Sequence, residues 1–250
     1  MTLGAGAAWG PDRRGAEPSG APAPTEVLRR GDIDVHGRIA GSSNITLLVT
    51  CTLGKHAVPA VYKPVRGERP LWDFPPGLHR REVAAGALSD ALGWGLVPET
   101  VLREDAPYGT GSLQRVVAED GESHYFTLRQ EVSWHPLLRR IAAFDVVINN
   151  ADRKSGHVLL AEGTLWAIDH GLAFHPEPKL RTVIWDFAGE PLADDDAADL
   201  RRLAGGLPPG MEELLDGAEQ EATLGRARRL LAAGALPAPG HERPYPWPLV

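Results

Sequence analysis

Asn149-Asn150-Ala151-Asp152-Arg153-Lys154-Ser155-Gly156-His157 leads into Val158-Leu159-Leu160-Ala161, Glu162-Gly163, Thr164-Leu165-Trp166-Ala167 and Ile168-Asp169-His170-Gly171. A polar loop carrying an acid, two bases and a histidine runs into an apolar stretch, which breaks once and resumes. The break predicts two short strands joined by a two-residue hairpin turn. With Glu162 and Gly163 as the turn, Ala161 faces Thr164 and the register sets Gly156 opposite Asp169. His157 and Asp169 then meet at the open end of the hairpin, a few residues from Asp152. Adjacent residues alternate faces, so the expectation is proximity rather than a shared face.

Such a cluster suits phosphoryl transfer. The γ-phosphate of ATP carries charge that one or two Mg²⁺ ions must offset, and Mg²⁺ prefers carboxylate oxygen. Asp169 is the metal-ligand candidate. Asp152 is placed to orient an attacking hydroxyl and accept its proton. Arg153 or Lys154 would steady the transferred phosphate or the loop itself; the alternative for residues 152–154 is a solvated turn. Pro136 followed by Leu137, Leu138, Ile141, Phe144, Val147 and Ile148 predicts an amphipathic helix that delivers the chain into this loop.

Upstream, β-branched runs punctuated by Gly, Ser and Asn predict three antiparallel strands from Asp32 to Lys63. The first turn, Gly41-Ser42-Ser43-Asn44, has small residues whose backbone N–H groups could approach phosphate oxygens. Lys63 is expected to end the third strand, with Pro64 stopping regular pairing. A kinase-like fold sets a strand lysine against the α- and β-phosphates. A helix is predicted from about His79 to Leu92, with Glu82 in its first turn, able to reach back to Lys63. Residues 97–102, 111–118 and 124–128 read as further strands. Gln114, Val116 and Val117 would lie between two halves of the molecule and hold an adenine edge. Beyond Ala193, helices are predicted over 197–203 and 211–233.

Together these residues resemble the phosphatidylinositol 3-/4-kinase-like group of atypical kinases, including its small actinobacterial members, and more distantly the HipA-type kinases. The resemblance covers roughly residues 28–190 and is carried by Asn150–His157 and Ile168–Gly171. It implies that Asp152 is the catalytic Asp, Asp169 the metal Asp, Lys63 the phosphate-binding lysine and Glu82 its partner. Two departures stand out: Lys154 replaces a histidine, and His157 occupies the place of a metal-binding Asn. Imidazole suits Mn²⁺ better than Mg²⁺. Trp185-Asp186-Phe187 looks like a metal-binding triplet, but Asp186 does not close a tight hairpin with Asp152 and is expected to cap a helix or brace the second half.

The expected fold is therefore α+β and two-lobed. A small β-rich N-terminal lobe spans 26–118 and a larger, mainly helical lobe spans 119–236. A disordered leader (1–25) and a Pro-rich tail (237–250) flank them, with Tyr245, Trp247 and Leu249 able to dock. The expected activity is transfer of the ATP γ-phosphate to a hydroxyl of a protein or small molecule, with Mg²⁺ or Mn²⁺. The alternatives are a nucleotide-binding pseudokinase and an AMP transferase. Net charge −7 argues against nonspecific binding to nucleic acid or anionic lipid. Without an apolar run of ~20 residues there is no membrane-spanning helix, and without a signal peptide the expected location is cytoplasmic. The single cysteine, Cys51, rules out an intramolecular disulfide and is expected to be buried in a strand. Lysine is scarce against this arginine-rich background: Lys55, Lys63, Lys154 and Lys179 are the full set.

Overall fold

The computed structural model describes residues 21–42, 44–119, 121, 123–240 and 243–249. Helix α1 (Pro24–Arg30) precedes strands β1 (Asp32–Arg38), β2 (Leu47–Leu53) and β3 (His56–Pro64). Helix α2 (Leu78–Leu92) follows, then β4 (Thr100–Arg103) and β5 (Gly111–Arg115). These strands make one antiparallel sheet in the order β1-β2-β3-β5-β4. Its core gathers Val49, Cys51, Ala60, Tyr62 and Leu113 with Val27 and Leu28 of α1. That helix was not anticipated: Pro24 and Thr25, assigned to the leader, form its first turn, while residues 1–20 lie outside the described part. Arg103 fixes its end, donating to the carbonyls of Leu28 and Gly31 at 2.9 Å each.

The second half is helical. Helix α3 (Tyr125–Leu128), α4 (His135–Ile148), the hairpin β6 (Val158–Ala161) and β7 (Thr164–Ala167), α5 (Asp194–Ala204) and α6 (Gly217–Ala233) complete the chain. Leu138, Ile141, Phe144, Val147 and Ile148 of α4 form the centre of the larger core, with Leu200, Leu203, Ala227 and Leu230 from α5 and α6. Among the described residues no helix is long and apolar enough to cross a membrane.

Several local expectations need correction. Residues 125–128 are helical, because the buried residues Tyr125 and Leu128 recur at helical rather than strand spacing. Thr127 Oγ1 also accepts the His124 N–H at 3.1 Å, closing the first turn. The strands expected over 97–102 and 111–118 are shorter, at 100–103 and 111–115. Pro64 does not interrupt β3: it pairs with Gly111 at the strand's last position, where a missing N–H is tolerated. Gly111 is needed there, since a Cβ would lie 2.4 Å from the Lys63 carbonyl oxygen. The helix expected over 211–233 is divided into a short 3-10 turn at Met211–Glu213 and α6. Asp216 caps α6 and exchanges backbone bonds with Glu219 at 2.8 and 3.0 Å.

The tail docks, but by its backbone. The Leu249 carbonyl accepts the Ser155 N–H at 2.8 Å, and the Pro244 carbonyl accepts from Thr182 N at 3.0 Å and Trp185 Nε1 at 3.1 Å. Tyr245 and Trp247 point to solvent.

Candidate active site

The hairpin has the expected register: Ala161 pairs with Thr164 and Val158 with Ala167. Its turn residues, Glu162 and Gly163, take φ of 56° and 73°, as a type I′ turn requires. One more bond, Ile168 N–H to the His157 carbonyl at 3.1 Å, carries the pairing to the open end. There His157 Nε2 lies 3.5 Å from Asp169 Oδ2. Asp169 itself has φ 59°, an uncommon backbone state for a non-glycine residue that turns its side chain toward the sheet of the first half.

From that sheet comes Lys63. It pairs with Ser112 near the end of β3, and its ammonium donates to Asp169 Oδ1 at 2.8 Å and to Glu82 Oε1 of α2. Glu82 is in the second turn of α2, not the first, and is buried. Its other oxygen accepts the His170 N–H at 2.9 Å, so Glu82 ties the lysine to the segment after Asp169. Burial works against the Lys63 charge, but Asp169 and Glu82 outweigh it and hold the ammonium protonated beyond the usual lysine range. Lys63 in turn holds Asp169 ionised far below the usual carboxylate range. Burial pushes Glu82 upward, with Lys63 opposing and Asp169 reinforcing the shift.

Asp152 follows a loop built by two asparagines. Asn149 caps α4 in the left-handed conformation at φ 55°, a state asparagine tolerates. Its amide donates to the His175 and Glu177 carbonyls at 2.8 and 2.7 Å and accepts the Lys179 N–H at 2.9 Å. Asn150 accepts the Asp152 N–H at 3.0 Å. Burial raises the Asp152 carboxyl to about 6, with Lys154, 3.1 Å away, pulling the other way.

Arg153 turns inward. It is fully buried, and its guanidinium donates to Asp145 at 2.9–3.2 Å, to the His157 and Ile168 carbonyls at 3.1 and 2.8 Å, and to His170 Nε2 at 2.7 Å. It braces the loop and both strands at the open end of the hairpin and does not face the cleft. Asp145 was missed in the sequence. The signal was a carboxylate on the buried stripe of α4, between Phe144 and Val146, where only a paired acid is tolerated. His170 accepts from Arg153 and is buried, so it stays neutral with its pKa well below the usual histidine value.

The remaining site candidates divide. Gly41 has φ +83° and Ser42 lies in the β1–β2 turn, but Ser43 is outside the described residues. Asn44 uses its side-chain oxygen to accept the Arg69 N–H at 2.9 Å. Gln114 donates to Thr100 Oγ1 at 2.9 Å, and Val116 gives its N–H to Pro59 at 2.9 Å. Any role of Val116 toward a purine therefore falls to its carbonyl. Val117 is buried against Ala161 and Trp166, beside the hairpin. Asp186 braces: it accepts from Tyr125 OH and from Arg129 at 2.9 and 3.1 Å.

Fit to a metal can be tested on His157. Its Nδ1 lies 3.0 Å from the Asp152 carbonyl, which can only accept, and 3.5 Å from the Lys154 N–H; the shorter contact assigns the proton to Nδ1. The Nε2 lone pair then faces an Asp169 oxygen. Burial holds the ring neutral, with its pKa lowered to about 4. Two acceptors 3.5 Å apart fit a cation between them. Among the described residues no group of three or more His, Cys, Asp or Glu is arranged for a metal, so other ligands must come from elsewhere.

No family model matches the chain. It is 40% identical over 261 residues to Protein Rv2133c of Mycobacterium tuberculosis, covering 89% of this chain and 94% of that one. Among solved structures, hydra Fam20 with sugar superposes at TM-score 0.53 and 15% identity, over 84% of this chain and 86% of the other. Helicobacter pylori proinflammatory kinase CtkA overlaps at TM-score 0.44 and 10% identity, over 84% of this chain and 94% of the other. The fold is the two-lobed, kinase-like α+β arrangement.

Proposed function

We propose that this chain, a member of the family of Mycobacterium tuberculosis Protein Rv2133c, is an ATP-dependent phosphotransferase that moves the γ-phosphate to a hydroxyl. The observation that carries the reading is the meeting of Lys63, Glu82 and Asp169 from three separate elements, beside a loop that presents Asp152. The assignment to the phosphatidylinositol 3-/4-kinase-like group is narrower. It rests on the motifs at 150–157 and 168–171.

In this reading Lys63 sets its ammonium against the α- and β-phosphates, and Glu82 keeps it there. The β1–β2 turn, at Gly41, Ser42 and Asn44, covers the phosphates, and the connector at Gln114–Val117 meets the base. Asp169 and His157 hold a divalent ion, which offsets phosphate charge. Asp152 takes the proton of the acceptor hydroxyl as its oxygen forms a bond to the γ-phosphorus. The bond from that phosphorus to the β,γ-bridging oxygen breaks, and ADP leaves with the electron pair. Lys154, beside Asp152, offsets charge on the phosphoryl group in transit. Arg153 is a positioning residue, acting through the loop it braces.

The test is ATP consumption with Mg²⁺ and with Mn²⁺, for the wild type and Asp152→Ala. Loss of a general base lowers turnover by about 10²–10⁴-fold. Equal turnover in the two proteins removes Asp152 from its role. A pseudokinase is the second reading, favoured by a neutral imidazole where an oxygen ligand suits Mg²⁺ best. ATP-dependent thermal stabilisation with no turnover in either metal would establish it.

A further inference from the structure

Three of the chain's four lysines, Lys63, Lys154 and Lys179, approach a carboxylate, and Lys179 is not used by the chemistry above. Its side chain is 13% exposed, and its ammonium stands 3.9 Å from Asp73 Oδ2, beyond hydrogen-bond distance. Arg181 approaches the same oxygen at 3.8 Å. Two cations thus share one carboxylate oxygen, and neither bonds it closely.

The position of this pair is fixed by the backbone. Arg181 gives its N–H to the Asn150 carbonyl at 2.9 Å and accepts the Arg153 N–H at 3.0 Å, bracketing Ala151 and Asp152. Asp73 is fixed from the other side. Its neighbour Phe74 packs with Leu78 against Ala151, and Arg81 donates to the Pro75 and Pro76 carbonyls at 3.2 Å each. The segment that carries both cations therefore lies against the loop that carries Asp152. A single carboxylate leaves one positive charge unbalanced, whereas a phosphate monoester carries close to two negative charges at neutral pH and matches both.

We propose that Lys179 and Arg181 form a subsite for a phosphate monoester on the acceptor, and that Asp73 holds that place in the unliganded protein. This rests on the phosphotransferase reading, in which Asp152 addresses a hydroxyl of the same acceptor. The bound phosphate displaces the Asp73 carboxylate and leaves the transferable hydroxyl at Asp152.

The test is calorimetric titration with inorganic phosphate and with glycerol 3-phosphate, glycerol serving as the neutral control. Titrations are run with the nucleotide site first saturated by a non-hydrolysable ATP analogue and Mg²⁺. Failure of the analogue itself to bind counts against the phosphotransferase reading and is scored separately. The expected result is saturable binding of both phosphates and none of glycerol. Lys179→Met and Arg181→Met should each weaken it by about tenfold, the scale of one hydrogen bond to a charged group. Asp73→Asn should tighten it several-fold by freeing both cations. Vesicles of phosphatidic acid, run alongside, separate a lipid headgroup from a soluble ester, and either one supports the subsite if Arg181→Met weakens it by the same factor. The proposal is overturned if wild type binds neither phosphate, or if the three substitutions leave affinity unchanged. It is equally overturned if Asp73→Asn lowers the melting temperature without tightening phosphate, which makes Asp73 a strut between the two halves.

Discussion

Asp145 and Arg153 meet beneath the loop that carries Asp152 with neither side chain exposed, and the guanidinium satisfies a carboxylate, two carbonyls and an imidazole at once. On the loop's outer side, Lys179 and Arg181 stand 3.9 and 3.8 Å from Asp73 and share a single oxygen. Both regions hold basic side chains on segments bonded to the loop of Asp152, yet they do different work. In the first, the Arg153 guanidinium and Asp145 are satisfied without a ligand, so the pair fixes where Asp152, His157 and Asp169 stand. The second is under-paired, which is what a surface awaiting an anion requires. The Lys63 cluster resembles the first: Lys63 already bonds both Glu82 and Asp169.

That contrast is most sharply broken by Arg153→Met. Removing one partner of a buried pair strands the other, a loss of about 3–5 kcal/mol. Chemical denaturation should show it, while Arg181→Met changes stability by less than about 1 kcal/mol, as a loosely held, partly exposed pair does. Comparable losses at the two positions would erase the distinction.

The pH dependence tests the loop itself. Burial raises Asp152 to about 6, and a base must be ionised to act. Turnover should therefore rise with pH, about tenfold per unit well below 6, and level off above it. Lys154 lowers this value, so Lys154→Met should move the rising limb to higher pH. A limb unmoved by that change would mean that some other group sets it. A smaller effect is expected at His157→Asn. An amide oxygen in place of the imidazole nitrogen should raise the ratio of Mg²⁺- to Mn²⁺-supported turnover. An unchanged ratio would take His157 out of the metal site.

What could be read from the sequence followed from local constraint. A two-residue turn at Glu162-Gly163 leaves one register for the hairpin, and this brought His157 to Asp169. Three strands ending in Lys63, and a helix carrying Glu82, followed from hairpin and helical periodicity. Residues 125–128 hold only one helical repeat, Tyr125 to Leu128, too short to outweigh a strand reading, and a Thr127 side-chain bond to the backbone closes the turn. Of the two roles open to Arg153, steadying phosphate or the loop, the local sequence does not choose, because an exposed turn and a buried ion pair share it. Asp145, eight residues before Arg153 on α4, selects the loop. The meeting of Asp73 with Lys179 and Arg181 spans more than a hundred residues, and no local pattern announces it.

The most direct test of the account is the fate of labelled ATP. With the protein, a divalent metal and glycerol 3-phosphate or the protein itself as acceptor, label at the γ-position should appear in the product, and Asp152→Asn should abolish its appearance. Transfer of α-label in its place would mean that AMP moves and would contradict the assignment of Asp152, Lys63 and Asp169 to γ-phosphoryl transfer.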